Sequence, residues 1–428
     1  MNTNRRTFAK TALGAAAALQ ATAATKELRV GLLGAGSRGT TMLQQSLLTP
    51  GVKFTAICDI VEASATRAQN VVEKASGQRP TPYTRGPEDW KRMADSKDVD
   101  VILIMTPQDQ HGPQAIYCLK AGKHVGSETP PIYTLDLAWE LVETKEKTGR
   151  HYMLLENYPY SRTHMMVMNM AHRGAFGQLT HGEGCYIHDT RNLAYNSDGS
   201  LAWRGKIATT VRGDVYPTHA LSPVSLWMGV NRGDRLTSLT SVDSGTAGLR
   251  TYAREHFGPS HPAAQPGAFS KRDCTMTLLK SVNEKLIVVR YDSGSPRPTM
   301  GWESLQGTKG AYDGSPSAEL LYLEDRSPKD RWEPIDKYRS EYDHPFWQQD
   351  GAAATSAGHG GGDFFVMREF FKAIAEDREP PIDVYDAATW GSVIALSAKS
   401  IAEGKTVEIP DYTRGKWKDR KLTGFGIG

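Results

Sequence analysis

The sequence predicts an α/β chain in two parts: a doubly wound parallel sheet, then an α+β portion with a mostly antiparallel sheet. Three observations predict it. Short apolar runs alternate with helical stretches from residue 28 to residue 149. A glycine-rich turn closes the first apolar run. Beyond about residue 180, strand-like runs are separated by long polar loops rich in Gly, Pro and Ser. With 428 residues, 39% of them hydrophobic, the chain can bury more than one core, and the change of character divides it at 26–155 and 156–428.

Taken in order, Leu28 to Leu33 is a buried strand, and a helix follows over about 38–48. Val52 to Ile57 is a second strand ending at Asp59, and 63–75 is helical. Val99 to Met105 is almost purely apolar, as a strand covered on both faces must be. A helix over 114–121 closes at Gly122, a brief strand covers 124–126, and a helix over 135–148 closes at Gly149. The second part reads as strands at 179–187, 275–279, 286–291 and 320–323. A flexible glycine loop at 358–362 and amphipathic helices over 363–375 and 385–403 follow.

Gly34-Ala35-Gly36-Ser37-Arg38-Gly39 fits G-x-G-x-x-G between a strand and a helix, with Asp59 twenty residues beyond Gly39. Gly34 permits the tight turn, Gly36 lets the backbone approach a pyrophosphate, and Gly39 lets the helix pack on the strand. Ser37 and Arg38 open the helix, whose N-terminus faces the phosphates. Asp59 suits ribose hydroxyls and so favours NAD over NADP. The first domain is therefore a Rossmann domain. Thr106-Pro107 ends a strand at the cofactor crevice, and His111 either lines the nicotinamide side or serves as an ordinary cap or surface residue.

The N-terminus carries Arg5-Arg6, then Phe8 and Lys10, a weakly hydrophobic Ala-rich stretch, and a small-residue site at Ala21-Thr22-Ala23. This reads as a twin-arginine signal peptide over 1–23, implying export of the folded protein to the periplasm or beyond. The formal charge is +3, and residues 1–23 contain Arg5, Arg6 and Lys10 but no acid, so the remainder is near neutral (3 minus 3). Neither a nucleic-acid footprint nor a membrane span is visible. Cys58, Cys118, Cys185 and Cys274 are scattered, read as buried thiols with at most one bridge, and no His, Cys or acid spacing matches a metal site.

Further stretches carry a resemblance. Gly34 to Gly39, Thr106-Pro107, Ala121 to Val125 and Glu128-Thr129-Pro130 together resemble the Gfo/Idh/MocA oxidoreductases, which pair a Rossmann domain with an α/β domain carrying a large open sheet. The second half is narrower: Glu156-Asn157 with Tyr160, His181-Gly182-Glu183-Gly184, His188-Asp189 with Arg191, Trp203-Arg204, Tyr216-Pro217-Thr218-His219 and His359-Gly360-Gly361 with Asp363. From about residue 28 to 418 this resembles glycoside hydrolase family 109, the NAD-dependent α-N-acetylgalactosaminidase branch.

That resemblance implies a glycosidase that retains and recycles NAD. The sugar is oxidised at C3, deprotonated at C2, loses its aglycone from C1, takes up water and is reduced again. It implies His219 and Tyr216 as the proton-transfer pair, Glu128, Tyr160 and Arg204 as sugar contacts, and Asn157 with Glu128 beside the cofactor. It also implies a homo-oligomer. His188, Asp189 and Arg191 read as a structural charge cluster. Two positions depart from the family patterns. Thr129 stands where simple dehydrogenases carry Lys, which argues against a plain NAD-dependent sugar dehydrogenase. Thr299, after Pro296-Arg297-Pro298, stands where this family typically has Tyr. A glycan-binding module without turnover fits poorly with His219, Tyr216 and Tyr160 together.

Overall fold

The computed structural model describes residues 27–315 and 317–427. The twin-arginine stretch at 1–23 lies outside the described residues. Six strands build the first sheet: β1 (Leu28–Leu33), β2 (Val52–Cys58), β3 (Thr81–Tyr83), β4 (Val101–Ile104), β5 (His124–Ser127) and β6 (Tyr152–Leu154). All pair in parallel, in the order β3-β2-β1-β4-β5-β6. The order reverses between β1 and β4, and the crevice above their carboxyl ends is where such a sheet binds its ligand. Every residue of β4 is buried, which accounts for its unbroken apolar sequence.

The second sheet has nine strands: β7 (Leu179–Ile187), β8 (Leu236–Asp243), β9 (Cys274–Ser281), β10 (Leu286–Asp292), β11 (Met300–Gly307), β12 (Gly310–Ser315), β13 (Ala318–Leu323), β14 (Glu333–Pro334) and β15 (Val407–Glu408). They run in the order β14-β13-β12-β11-β7-β10-β9-β8-β15. Pairing is antiparallel except between β7 and β10. Side chains alternate along β9: Thr275, Thr277, Leu279 and Ser281 are buried, while Met276, Leu278 and Lys280 face outward. One face is thus covered and the other open.

The helix Thr218–Trp227 covers the inner face of β7 at short range. A Cβ on Gly184 would stand 1.9 Å from the Ala220 carbonyl oxygen, and one on Gly182 would stand 2.5 Å from Val224. Only glycine lets this helix lie so low. The helix Val384–Glu403 opens with a capping box between Asp383 and Asp386 and is buried over most of its length. Gly391 within it meets Ile132 of the first domain, and Leu154 donates its N–H to the Ile382 carbonyl. The chain therefore returns to the first domain after building the second sheet. Residues 358–361 do not form a flexible linker. They make a tight turn, with Gly361 at φ 94° and His359 bonded to Asp363. All four cysteines are free thiols.

Candidate active site

The glycine turn has the form a dinucleotide needs. Gly34 sits at φ 94°, and a Cβ on Gly39 would stand 1.9 Å from the Gly34 carbonyl oxygen. A Cβ on Gly36 would meet nothing within 4 Å, so this position borders open space. Gly36 caps the helix Ser37–Ser46, which has neither a side-chain cap nor an acid in its first turn. Its leading N–H groups are left for an anion. Asp59 accepts from the N–H of Ala35 at 2.7 Å and of Val61 at 2.8 Å, placing its carboxylate at the lip of the crevice. These residues fit NAD.

Arg38 reaches across the crevice. Its Nε donates to Glu128 Oε1 at 2.6 Å and its Nη1 to Asp363 Oδ2 at 2.8 Å. Burial opposes the guanidinium's charge, but the two carboxylates outweigh it and raise its pKa. Asp363 is fully buried and also accepts from Asn157 Nδ2 at 2.7 Å and His359 Nδ1 at 2.9 Å. Burial alone would raise its pKa, yet His359 and Arg38 hold it well below the ordinary carboxylate range. Glu128 also accepts the Thr129 N–H at 3.1 Å. Arg38 and Asn157, both assigned near the cofactor from sequence, thus meet on Asp363 from the far end of the chain, and Arg38 links that carboxylate to Glu128.

His219 and Tyr216 lie together, and His219 stands in the first turn of the helix Thr218–Trp227. Its Nδ1 lies 2.8 and 2.9 Å from the two oxygens of Glu156, which is fully buried. Burial works to raise the Glu156 pKa, but the His219 contact outweighs it and holds the carboxyl below its usual range. A carboxylate at Nδ1 fixes the proton there and leaves Nε2 as the basic nitrogen. The Tyr158 ring stacks on the imidazole at 4.0 Å and 11°, while Tyr186 and Tyr216 meet it edge-on at 4.9 and 4.8 Å. Tyr216 Oη lies 2.6 Å from Thr129 Oγ1, and burial pushes its phenol pKa well up. Thr129 therefore orients the tyrosine from the position where dehydrogenases carry a lysine.

Arg204 lines the cleft beside Tyr216 and lies over the Trp203 ring at 4.1 Å. Thr106 bonds Gln114 at 2.6 Å, and Pro107 leads into the short turn Gln108–Gln110. Two assignments are corrected. Tyr160 does not face the sugar: its ring is fully buried against Phe425 at 5.1 Å, and its hydroxyl has no partner among the described residues. Tyr158, two residues earlier, is the tyrosine at the site. His111 does not line the nicotinamide side either. It is buried, with Nδ1 and Nε2 each 2.9 Å from the carbonyls of Pro130 and Thr106, and burial lowers its pKa. As a neutral ring it donates to one of these carbonyls and packs against the other, between the Thr106 and Pro130 loops. In the third cluster, Asp189 and Arg191 do form a structural pair at 2.9 Å, whereas His188 bonds Tyr186 and lines the cleft.

Four residues at or behind the site were not assigned from sequence: Glu156, Tyr158, Asp214 and Lys271. Glu156 alone left a trace, as an acid directly after the buried run of β6. Asp214 is fully buried, accepts the Tyr216 N–H at 3.0 Å, and is pushed up to about 7 by burial.

Comparison with known proteins decides the family. Residues 160–419 match the model described as glycosyl hydrolase 109, C-terminal domain, and residues 28–155 match the oxidoreductase family NAD-binding Rossmann fold. The chain belongs to glycoside hydrolase family 109. A glycosyl hydrolase family 109 protein of Saccharopolyspora erythraea is 38% identical over 393 residues, covering 91% of this chain and 84% of that one. One from Stenotrophomonas maltophilia is 36% identical over 419 residues, covering 92% and 91%. Among solved structures, levoglucosan dehydrogenase in complex with NADH and L-sorbose superposes with a TM-score of 0.70 at 19% identity, covering 90% of this chain and all of that one. The family 109 chain is thus a glycoside hydrolase on an NAD-binding oxidoreductase fold. No helix among the described residues is long and apolar enough to cross a membrane.

Proposed function

We propose that this enzyme hydrolyses terminal α-N-acetylgalactosaminides, or closely related hexosaminides, with a retained and recycled NAD. The observation that carries the reading is the buried Glu156–His219 pair beside Tyr216, at the mouth of the nucleotide crevice. Bound in that crevice, NAD supplies a reversible hydride acceptor, so that C3 of the sugar can be oxidised and later restored.

The chain's own residues move protons. Tyr216, kept as a neutral phenol and oriented by Thr129, holds the C3 hydroxyl and relays its proton. His219 Nε2 takes the proton from C2, which is acidic once C3 is a ketone, and Glu156 stabilises the resulting imidazolium. The C2 electron pair forms the C1=C2 bond as the C1–O bond breaks, and the aglycone leaves with that bond's electron pair and takes a proton from solvent. Water then adds its oxygen at C1 and releases one proton to solvent, while His219 returns its proton to C2. Arg204 and Tyr186 orient the ring from the cleft wall.

The test follows release of p-nitrophenol from p-nitrophenyl N-acetyl-α-galactosaminide, with absorbance at 340 nm recorded in parallel. Release without accumulating NADH, nucleotide copurifying with the protein, and deuterium at C2 of product formed in heavy water support the reading. NADH growth with free sugars and no release would make the protein a sugar dehydrogenase.

The open face of the second sheet supports a homo-oligomer. Val242, Met276, Leu278 and Leu286 are 64%, 40%, 46% and 40% exposed on that face, a contiguous apolar surface of the kind that pairs subunits. The Arg5-Arg6 leader supports export of the folded enzyme to the periplasm or beyond. Replacing both arginines by lysine tests it: the protein then stays in the cytoplasmic fraction.

A further inference from the structure

The cleft beside Tyr216 carries two cations and no carboxylate. Arg204 and Lys271 line it, with Tyr186, His188 and Tyr291, and its other lining residues are neutral or apolar. Burial lowers the His188 pKa, so this ring adds no negative charge and little positive charge. Lys271 is half-buried. It donates to Ser293 Oγ and lies 5.3 Å over the Tyr291 ring, and it stands in no ion pair among the described residues. Three carboxylates, Asp273, Asp292 and Asp214, lie close enough to pull on it, but none pairs with it directly. Asp273 holds the N–H groups of Ala247 and Gly248, Asp292 faces Arg290 and Ser295, and Asp214 holds the Tyr216 N–H. A half-buried ammonium with no directly paired carboxylate favours an anion beside it, and an uncharged hexosamine supplies none.

We propose that this cleft receives a glycoside bearing an anionic substituent, a sulfate ester or a carboxylate, on or next to the reacting sugar, with Lys271 and Arg204 as its counter-ions. The inference rests on the glycosidase reading and narrows its substrate class. Burial brings the Lys271 ammonium down to about 8 against the pull of Asp273, Asp292 and Asp214, with Arg204 adding to the lowering. The lysine is therefore charged below that pH and neutral above it. Asp214, pushed up to about 7, becomes charged as the pH rises through neutrality and then favours the charged lysine.

The experiment compares kcat/KM for p-nitrophenyl N-acetyl-α-galactosaminide and its 6-O-sulfate. It also measures binding of inorganic sulfate and of D-glucuronate to the intact enzyme by calorimetry, which separates the sulfate from the carboxylate source. We expect the sulfated glycoside to be preferred about tenfold or more, the size of one charge-assisted hydrogen bond. That ratio should collapse in Lys271→Met, survive largely in Lys271→Arg, and fall in the wild type as the pH rises through about 8. Cleavage of the neutral glycoside with no preference, and no Lys271-dependent binding of either anion, overturns the inference while leaving the glycosidase reading intact. If neither glycoside is cleaved, the glycosidase reading fails, and calorimetry alone decides the anion site. Should Lys271→Met not fold, the Lys271→Arg ratio and the wild-type pH profile decide it.

Discussion

At the scale of single residues, chemistry depends on which atoms are left free. His219 has its Nδ1 committed to Glu156, which leaves Nε2 as the nitrogen free to take a proton in the proposed reaction. Glu156→Gln keeps the shape but can present its amide to the ring and select the wrong tautomer. We expect kcat to fall by about 10²- to 10⁴-fold with bound nucleotide retained, as steady-state kinetics and the absorbance of the purified protein would reveal. The two tyrosines of Tyr158-Pro159-Tyr160 should separate cleanly. Tyr160→Phe removes a buried hydroxyl that has no partner among the described residues, so activity should persist and the melting temperature hold or rise. Tyr158→Ala removes the ring stacked on His219 and should cost most of the activity.

Asp214 gives a pH prediction with a definite sign. Its pKa is near 4 when unfolded and about 7 when folded, so the folded state binds the extra proton between those values. Stability contributed by this group is present in acid and is lost as the pH rises through about 7. Asp214→Asn should therefore melt higher than the wild type at pH 8, by about a few degrees, and show little advantage at pH 4. Thermal denaturation at the two pH values would decide it.

At the scale of elements, what matters is how three distant segments meet. The turn at 358–361 delivers Asp363, the first turn of Ser37–Ser46 delivers Arg38, and the end of β6 leads to Asn157. Asp363→Ala leaves a partly buried guanidinium and a buried amide short of a partner. We expect a loss of about 3–5 kcal/mol in urea unfolding, together with weakened NAD binding through the displaced Arg38. Because the folded Asp363 pKa is depressed, its contribution is complete above the ordinary carboxyl pKa and fades as the pH falls through the folded value. The gap between wild type and variant should narrow accordingly in acid. The same logic of approach governs the helix bearing His219, which reaches the sheet because Gly182 and Gly184 lie beneath it.

At the scale of the whole molecule, the second sheet is an asymmetric object. Its inner face carries the helix Thr218–Trp227 and the returning helix Val384–Glu403, while its outer face presents apolar side chains at register-matched positions, such as Val242 opposite Met276. If that face pairs two subunits, the double change Met276→Glu with Leu278→Glu should shift the mass measured by light scattering towards the monomer. An unchanged mass would place the interface elsewhere, or show that the wild type is already monomeric.

The sequence by itself determined the parallel sheet, most of the strand and helix series of the first domain (β3, β6 and the helix Asp89–Ala94 excepted), and the nucleotide turn. Each of these is a local pattern: an apolar run, a glycine spacing, an acid at a strand end. It also placed His219, Tyr216 and Glu128 at one sugar by resemblance, and Arg38 at the nucleotide turn by its motif. The tertiary structure decided the partners. Glu156 lies 63 residues from His219, and Asp363 lies 325 from Arg38. It also decided that Tyr158 rather than Tyr160 faces the site, because a short turn separates them and only packing chooses which ring enters the core. His111 was removed from the cofactor for the same reason, its ring nitrogens facing two carbonyls. Periodicity reports which side of its own element a residue occupies. It carries no information about which other element will stand opposite, and the charges and hydrogen bonds of this site are almost all made across that gap.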